Sequence, residues 1–134
     1  MKLKDQNILF IVRTMGLGGT ENVVLQLCEI LSEKVNKIVV CSSGGVHEEK
    51  LEKYGIKHYT IPDIASKRPK DMLGCYKRIK SVIKEEQITV VHSHHRMAAF
   101  YAELTAPKNV IKIANAHNTF QDKRKLTRFA YRNT

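Results

Sequence analysis

Asn7-Ile8-Leu9-Phe10-Ile11-Val12-Arg13 runs into Thr14-Met15-Gly16-Leu17-Gly18-Gly19-Thr20-Glu21. The first half is apolar almost without a break. A strand with one wet face alternates apolar and polar residues, whereas a strand covered on both faces of a parallel sheet is apolar throughout. Residues 7–13 therefore predict a central, doubly buried strand. The second half is a turn rich in glycine, which lets backbone adopt positive φ and approach a ligand closely. A helix starting just after such a turn offers unpaired N–H groups and a partial positive charge, suited to phosphate. A tight strand-to-helix turn with no ligand is the simpler alternative.

Working outward, residues 21–34 read as a helix, since Val24, Leu27, Cys28, Leu31 and then Val35 fall at three- and four-residue spacings and make one apolar stripe. Residues 37–41 form a second buried strand, closed by Ser42-Ser43-Gly44-Gly45. A short helix at 48–54 leads through Gly55 to a third strand at 57–61, stopped by Pro62. Residues 63–70 are a polar connection that includes Pro69. Residues 71–86 read as a helix with Leu73, Tyr76, Ile79, Val82 and Ile83 inward. A strand at 88–92, a helix at 96–105 ended by Pro107, and a strand at 110–114 follow. The closing segment, 122–132, is basic, with helical spacing at Leu126, Phe129 and Ala130.

Strands that alternate with helices imply parallel crossovers. The fold class is α/β: a Rossmann-like, doubly wound parallel sheet of about five strands in three layers, with expected order 3-2-1-4-5. That order puts a switch point between strands 1 and 4, and such sheets bind ligands beyond the carboxyl ends of their strands there. Residues 15–20 follow strand 1, residues 92–96 follow strand 4, and residues 115–119 end strand 5 next door. The glycine loop (Gly16, Gly18, Gly19, Thr20) and the polar residues His92, His94, His117 and Asn118 are thus expected to meet at one crevice.

Several chemistries are disfavoured. A dinucleotide fingerprint needs a third glycine and an acid after strand 2, but Glu21 and Cys41-Ser42-Ser43-Gly44 occupy those positions. The Gly-Lys-Ser/Thr of a nucleoside-triphosphate loop is missing. His92-Ser93-His94-His95 could suggest a metal, yet alternation sends His92 and His94 to one face and His95 to the other, with no carboxylate or cysteine nearby. No metal is expected. Cys28, Cys41 and Cys75 are widely spaced and match no zinc or disulfide framework, so they read as small core or near-surface residues.

The chain has 134 residues, the size of one domain, and 43% hydrophobic content, enough for a core. No apolar run approaches the ~18 residues of a membrane span, and no signal-peptide pattern opens the chain, so a cytoplasmic location is expected. The formal charge is +10, which favours an anionic partner. Lys67, Arg68, Lys70, Lys77, Arg78, Lys80 and Lys84 form one basic cluster, with Lys77, Arg78, Lys80 and Lys84 its expected membrane-facing members, and Lys123, Arg124, Lys125, Arg128 and Arg132 form another. With apolar residues interleaved, these read as faces for anionic lipid at the inner side of a membrane, or else as solvated surface. No nucleic-acid-binding signature is present.

Three of these motifs in order carry a resemblance: the strand with Gly16-Leu17-Gly18-Gly19-Thr20-Glu21, then Val90-Val91-His92-Ser93-His94, then Ala116-His117-Asn118-Thr119. Together they resemble the N-terminal domain of family-4 retaining glycosyltransferases. The resemblance implies half of a GT-B fold, two Rossmann-like domains facing a cleft. It implies transfer of a sugar from a nucleotide-sugar to an acceptor, with no cofactor. It places Gly18 and Gly19 against the donor phosphates and reacting sugar, His117 beside the reacting centre, and His94 near a polar acceptor-side residue. The donor-binding C-terminal domain has no counterpart in these residues. A C-terminal GT-B half or partner subunit is therefore expected, and negligible activity without it. The rival reading is a non-catalytic module that docks on anionic membrane or a partner protein.

Overall fold

The computed structural model describes residues 3–14, 19–45 and 48–114. After a 3-10 turn at Leu3–Asp5, the chain alternates β1 (Asn7–Ile11), α1 (Gly19–Leu31), β2 (Lys37–Ser42), α2 (Glu48–Lys53), β3 (Lys57–Thr60), α3 (Pro69–Glu85), β4 (Val90–Ser93), α4 (Arg96–Thr105) and β5 (Ile111–Ala114). All four strand pairings are parallel, in the order β3-β2-β1-β4-β5. This is the Rossmann-like α/β sheet expected from the sequence. The reason lies in β1: its five residues are all buried, so it sits between β2 and β4 with helices on both faces.

Steps from β1 to β3 run one way across the sheet and steps from β3 to β5 run back, so right-handed crossovers send the two helix pairs to opposite faces. Ile8 and Phe10 pack with Val24, Cys28 and Leu51 of α1 and α2. Leu9 and Ile11 pack with Cys75, Ile79, Val82, Ala98 and Tyr101 of α3 and α4. Each large apolar side chain buried this way contributes about 1.5–3 kcal/mol.

Element ends depart from the spacing-based reading where local chemistry decides. Pro69 belongs to α3, in its first turn, where its missing N–H costs nothing and its fixed φ suits the helix. Helix α1 stops at Leu31 because the amides of Lys34 and Val35 both turn back to the Leu31 carbonyl. Gly55, at φ +75°, lets the Ile56 amide reach the Leu51 carbonyl at 2.9 Å and closes α2.

One core assignment is corrected. Leu73 is 54% exposed, and Cys75 takes the inward position instead. Gly74 meets Pro62 so closely that a Cβ there would stand 3.0 Å from the Pro62 ring. That contact rolls α3 until Leu73 shares its outer side with Lys77, Lys80 and Lys84.

The amino-terminal edge of the sheet carries a polar lock. Glu86, just past α3, is 6% exposed. It accepts from the Tyr59 hydroxyl, from Lys37 Nζ at 3.0 Å and from Lys57 Nζ at 3.2 Å. The Tyr59 hydrogen bond, then the two lysines, overcome burial and hold its carboxyl down at about 2.

Candidate functional site at the carboxyl edge of the sheet

The four elements that the topology brings together at the opposite edge are the ends of β1, β2 and β4 and the segment after β3. Arg13, two residues past β1, makes a two-pronged pair with Asp63: Nε to Oδ1 at 3.0 Å and Nη2 to Oδ2 at 3.1 Å. Asp63 also accepts the Ala65 amide at 2.9 Å, and its carboxyl is held below the ordinary range, chiefly by the Arg13 hydrogen bond. The Arg13 carbonyl accepts the amide (3.0 Å) and the hydroxyl (2.8 Å) of Ser43. Ser42 Oγ accepts the Gly44 amide at 3.0 Å and pairs with His58 Nε2 at 2.6 Å. The glycines after β2 adopt positive φ, 103° at Gly44 and 154° at Gly45. Such backbone is open to glycine and costly for a residue with a Cβ.

The histidines of β4 divide as alternation requires. His92 and His94 share one face, with ring centroids 4.2 Å apart, and both lie against Phe10, at 5.3 and 5.7 Å. His94 is 3% exposed, while His92 is half-buried. His92 also lines an apolar groove of about 170 Å³ with Ile8, Phe10, Val90, Ile111 and Ile113.

His95 turns the other way and caps α4, its Nδ1 accepting the Met97 amide at 3.0 Å. Burial first, then the charge of Arg13, push its pKa below 6.5. The ring is therefore neutral at pH 7, and since Nδ1 accepts, Nε2 carries the proton. A base whose pKa is lowered by folding contributes stability above its unfolded pKa and loses it as pH falls below about 6.5. His95→Ala is expected to cost about 1 kcal/mol at pH 7.5 in urea unfolding, while His95→Ser restores most of the cap. Equal losses for Ala and Ser would show that the Met97 bond contributes nothing.

Gly19 and Thr20 open α1. Gly16, Gly18, His117 and Asn118 lie outside the described residues. Lys77, Lys80 and Lys84 are exposed and border a shallow depression with Tyr76, Ser81 and Glu85. Arg78 reaches over the Tyr59 ring, 5.1 Å from its centroid. The structure adds Arg13, Ser42, His58, Asp63 and His95 to the crevice edge. Arg13 and Asp63 are 50 residues apart and Ser42 and His58 are 16 apart, so no local spacing marks those pairs; the His95 cap on Met97 is local, and its signal is the position just before a helix.

Among the described residues no group of three His, Cys, Asp or Glu could hold a metal. Cys28, Cys41 and Cys75 are buried; burial pushes Cys28 and Cys41 up to about 12, far from reactive thiolates. Among the described residues no helix is long and apolar enough to cross a membrane.

Solved structures share this sheet. A glycosyltransferase from Rickettsia africae superposes with a TM-score of 0.65 at 23% identity, over 87% of this chain and 31% of that one. MurG of Acinetobacter baumannii gives 0.61 at 14% identity, over 93% of this chain and 39% of that one. Alr3699/HepE of Anabaena, solved with UDP and glucose, gives 0.60 at 14% identity, over 95% of this chain and 36% of that one. At such identities the likeness establishes the fold, and the chain spans about a third of the length of those structures. No curated protein sequence matches the chain. The sequence itself matches Glyco_transf_4, Glycosyltransferase Family 4, over residues 17–134. With the crossover sheet and its switch point already in place, that match over most of the chain means that it belongs to glycosyltransferase family 4 as an N-terminal domain.

Proposed function

We propose that this chain is the acceptor-side half of a retaining transferase that moves a sugar from a nucleotide-sugar to an acceptor in bacterial surface polysaccharide or glycolipid assembly. The observation that carries this reading is the family match, which spans the stretches bearing His92, His94 and His117; the sheet it falls on has its switch point between β1 and β4, next to His92 and His94. The UDP and glucose bound by the Anabaena structure support a nucleotide-sugar as the donor class. Gly16, Gly18, Gly19 and Thr20 bring backbone N–H groups to the donor phosphates and sugar. His117 lies beside the reacting carbon, and His92, His94 and Asn118 form the acceptor-side wall. A leaving diphosphate needs preorganised donors from both sides of a cleft, and a second domain supplies the other side. The enzyme works at the cytoplasmic face of a membrane, held there peripherally.

The test is reconstitution. The 134-residue chain is incubated with a nucleotide-sugar panel and lipid acceptors, with and without a separately produced family-4 C-terminal domain. Negligible turnover alone and transfer on mixing are expected. Equal turnover with and without the added domain would remove the half-enzyme reading. No transfer under either condition, with vesicle binding intact, would favour the non-catalytic docking module.

A further inference from the structure

Just beyond the paired ends of β1 and β4, three polar side chains meet. The two strands pair in the register Ile11–Ser93, and the His94 amide continues the ladder to the Ile11 carbonyl at 3.0 Å. Arg13 and His95 therefore leave the sheet side by side. Alternation puts both on the face of Leu9 and Ile11, which pack toward α3 and α4. His92 and His94 lie against Phe10 on the other face. Asp63 reaches the same place from the segment after β3, through its two-pronged pair with Arg13. The charges of Arg13 and Asp63 both act on the His95 ring.

The hydrogen-bonding capacity of this trio is only partly used. A guanidinium has five N–H hydrogens, and Arg13 commits one from Nε and one from Nη2 to Asp63. Both hydrogens on Nη1 have no acceptor among the described residues. Asp63 Oδ1 accepts from Arg13 Nε and from the Ala65 amide, whereas Oδ2 accepts only from Arg13 Nη2 and keeps a lone pair open. His95 accepts at Nδ1 from the Met97 amide, which leaves its Nε2–H as a donor without an acceptor among the described residues. The Arg13 and Asp63 side chains are 54% and 40% exposed, so a ligand can reach them. They are also held in place, Arg13 by Asp63 and by Ser43 at its carbonyl, Asp63 by Ala65, and His95 by Met97. Groups fixed in advance lose little freedom when a ligand binds.

Charge decides what fits. Arg13 and Asp63 cancel and the His95 ring is neutral at pH 7, so the trio has no net charge. A phosphate or carboxylate at Nη1 would stand beside the Asp63 carboxylate or have to displace it. An ammonium would face Arg13. A neutral polyol meets neither obstacle, because each hydroxyl both donates and accepts. One hydroxyl donates to Asp63 Oδ2, while it and its neighbour accept from Arg13 Nη1 and His95 Nε2. We propose that Arg13, Asp63 and His95 form a subsite that grips vicinal hydroxyls of a neutral acceptor sugar. This rests on the acceptor-side reading above and narrows it: the part of the acceptor at this edge is a sugar ring, and any anionic group it carries lies elsewhere.

The test is a titration of the nitrogen-15-labelled 134-residue chain, followed by NMR at the Arg13 Nε–H and the Ala65 amide. The probes are methyl α-glucoside, methyl α-mannoside and methyl α-galactoside, which present vicinal hydroxyls in different stereochemistry. At least one is expected to shift both reporters saturably. Its fully O-methylated derivative, which has no hydroxyl to donate, and inorganic phosphate should leave them unmoved. His95→Ser keeps a capping oxygen for Met97 but removes the Nε2 donor, and Asp63→Asn removes the carboxylate. Each is expected to weaken binding about tenfold, with circular dichroism unchanged. Should Asp63→Asn fail to fold, His95→Ser still decides. Reporters unmoved by all three glycosides, an equal response to the O-methylated probe, a shift with phosphate, or undiminished binding in His95→Ser would each overturn the subsite. Transfer by the reconstituted enzyme with these reporters silent would sink the subsite alone. Glycoside binding here with no transfer on reconstitution would sink the transferase reading alone.

Discussion

His117→Ala, made in a reconstituted two-domain assembly, is expected to lower kcat by a factor of about 10² to 10⁴, the range that a positioned side chain contributes to a transition state. KM for the nucleotide-sugar should change little, because loss confined to the transition state leaves ground-state binding intact. The residue stands three positions beyond Ala114, the end of β5. Strand β5 pairs with β4 in the register His92–Ile113 and Ser93–Ala114. The end of β5 thus lies beside the β4 residues that flank the switch point. Thermal unfolding of the variant should match that of the parent, which separates a role in transfer from a role in folding. His92→Asn serves as a comparison: His92 packs on Phe10 and the apolar groove, so its replacement should disturb stability at least as much as turnover. Unchanged kcat in His117→Ala would take this residue out of the reacting centre.

At the other edge of the sheet, acid is expected to unlock the fold through Glu86. Its carboxyl is lowered from 4.5 to about 2, first by the Tyr59 hydroxyl and then by Lys37 and Lys57, against the opposing effect of burial. A group with a lowered pKa contributes stability that is complete above its unfolded pKa and is lost as pH falls through its folded one. The window therefore runs from about pH 4.5 down to about 2, and the gap corresponds to about 3 kcal/mol. Glu86→Gln is expected to cost about 2 kcal/mol at pH 7 and to flatten the stability profile through that window. Tyr59→Phe removes the largest contribution, so in that variant the loss should still begin near pH 4.5 but be smaller and end at a higher pH. Urea unfolding between pH 7 and 2.5 provides the measurement. Parallel profiles for parent and Glu86→Gln would show that the fall in acid has another origin. The cluster joins the starts of β2 and β3 to the end of α3, so it fastens the crossover that reverses the sheet's direction.

The order of strands was legible because one local property, apolarity without alternation, marks strands covered on both faces. Residues 7–13, 37–41 and 88–92 all show it, and the helices between them enforce parallel pairing. The pairing of His92 with His94 was legible for a similar reason, since alternation along a strand is local geometry. Leu73 was misjudged because helical spacing ranks residues by apolarity and takes no account of what the helix rests on. The contact between Gly74 and Pro62, twelve residues away, sets the roll of α3. Arg13–Asp63 and the Glu86 cluster escaped notice because each joins segments that become neighbours only after the chain has crossed the sheet.

By itself the sequence determined the α/β class, the strand order, the position of the switch point and the family, all of which rest on periodicity and short motifs that a chain carries before it folds. Tertiary structure alone decided which charges pair and how each helix is turned against the sheet. Right-handed crossovers place α3 and α4 together on one side of the sheet. There Cys75, Ile79 and Val82 of α3 join Ala98, Tyr101 and Ala102 of α4 in one core cluster, a contact between segments that become neighbours only once the chain has crossed the sheet.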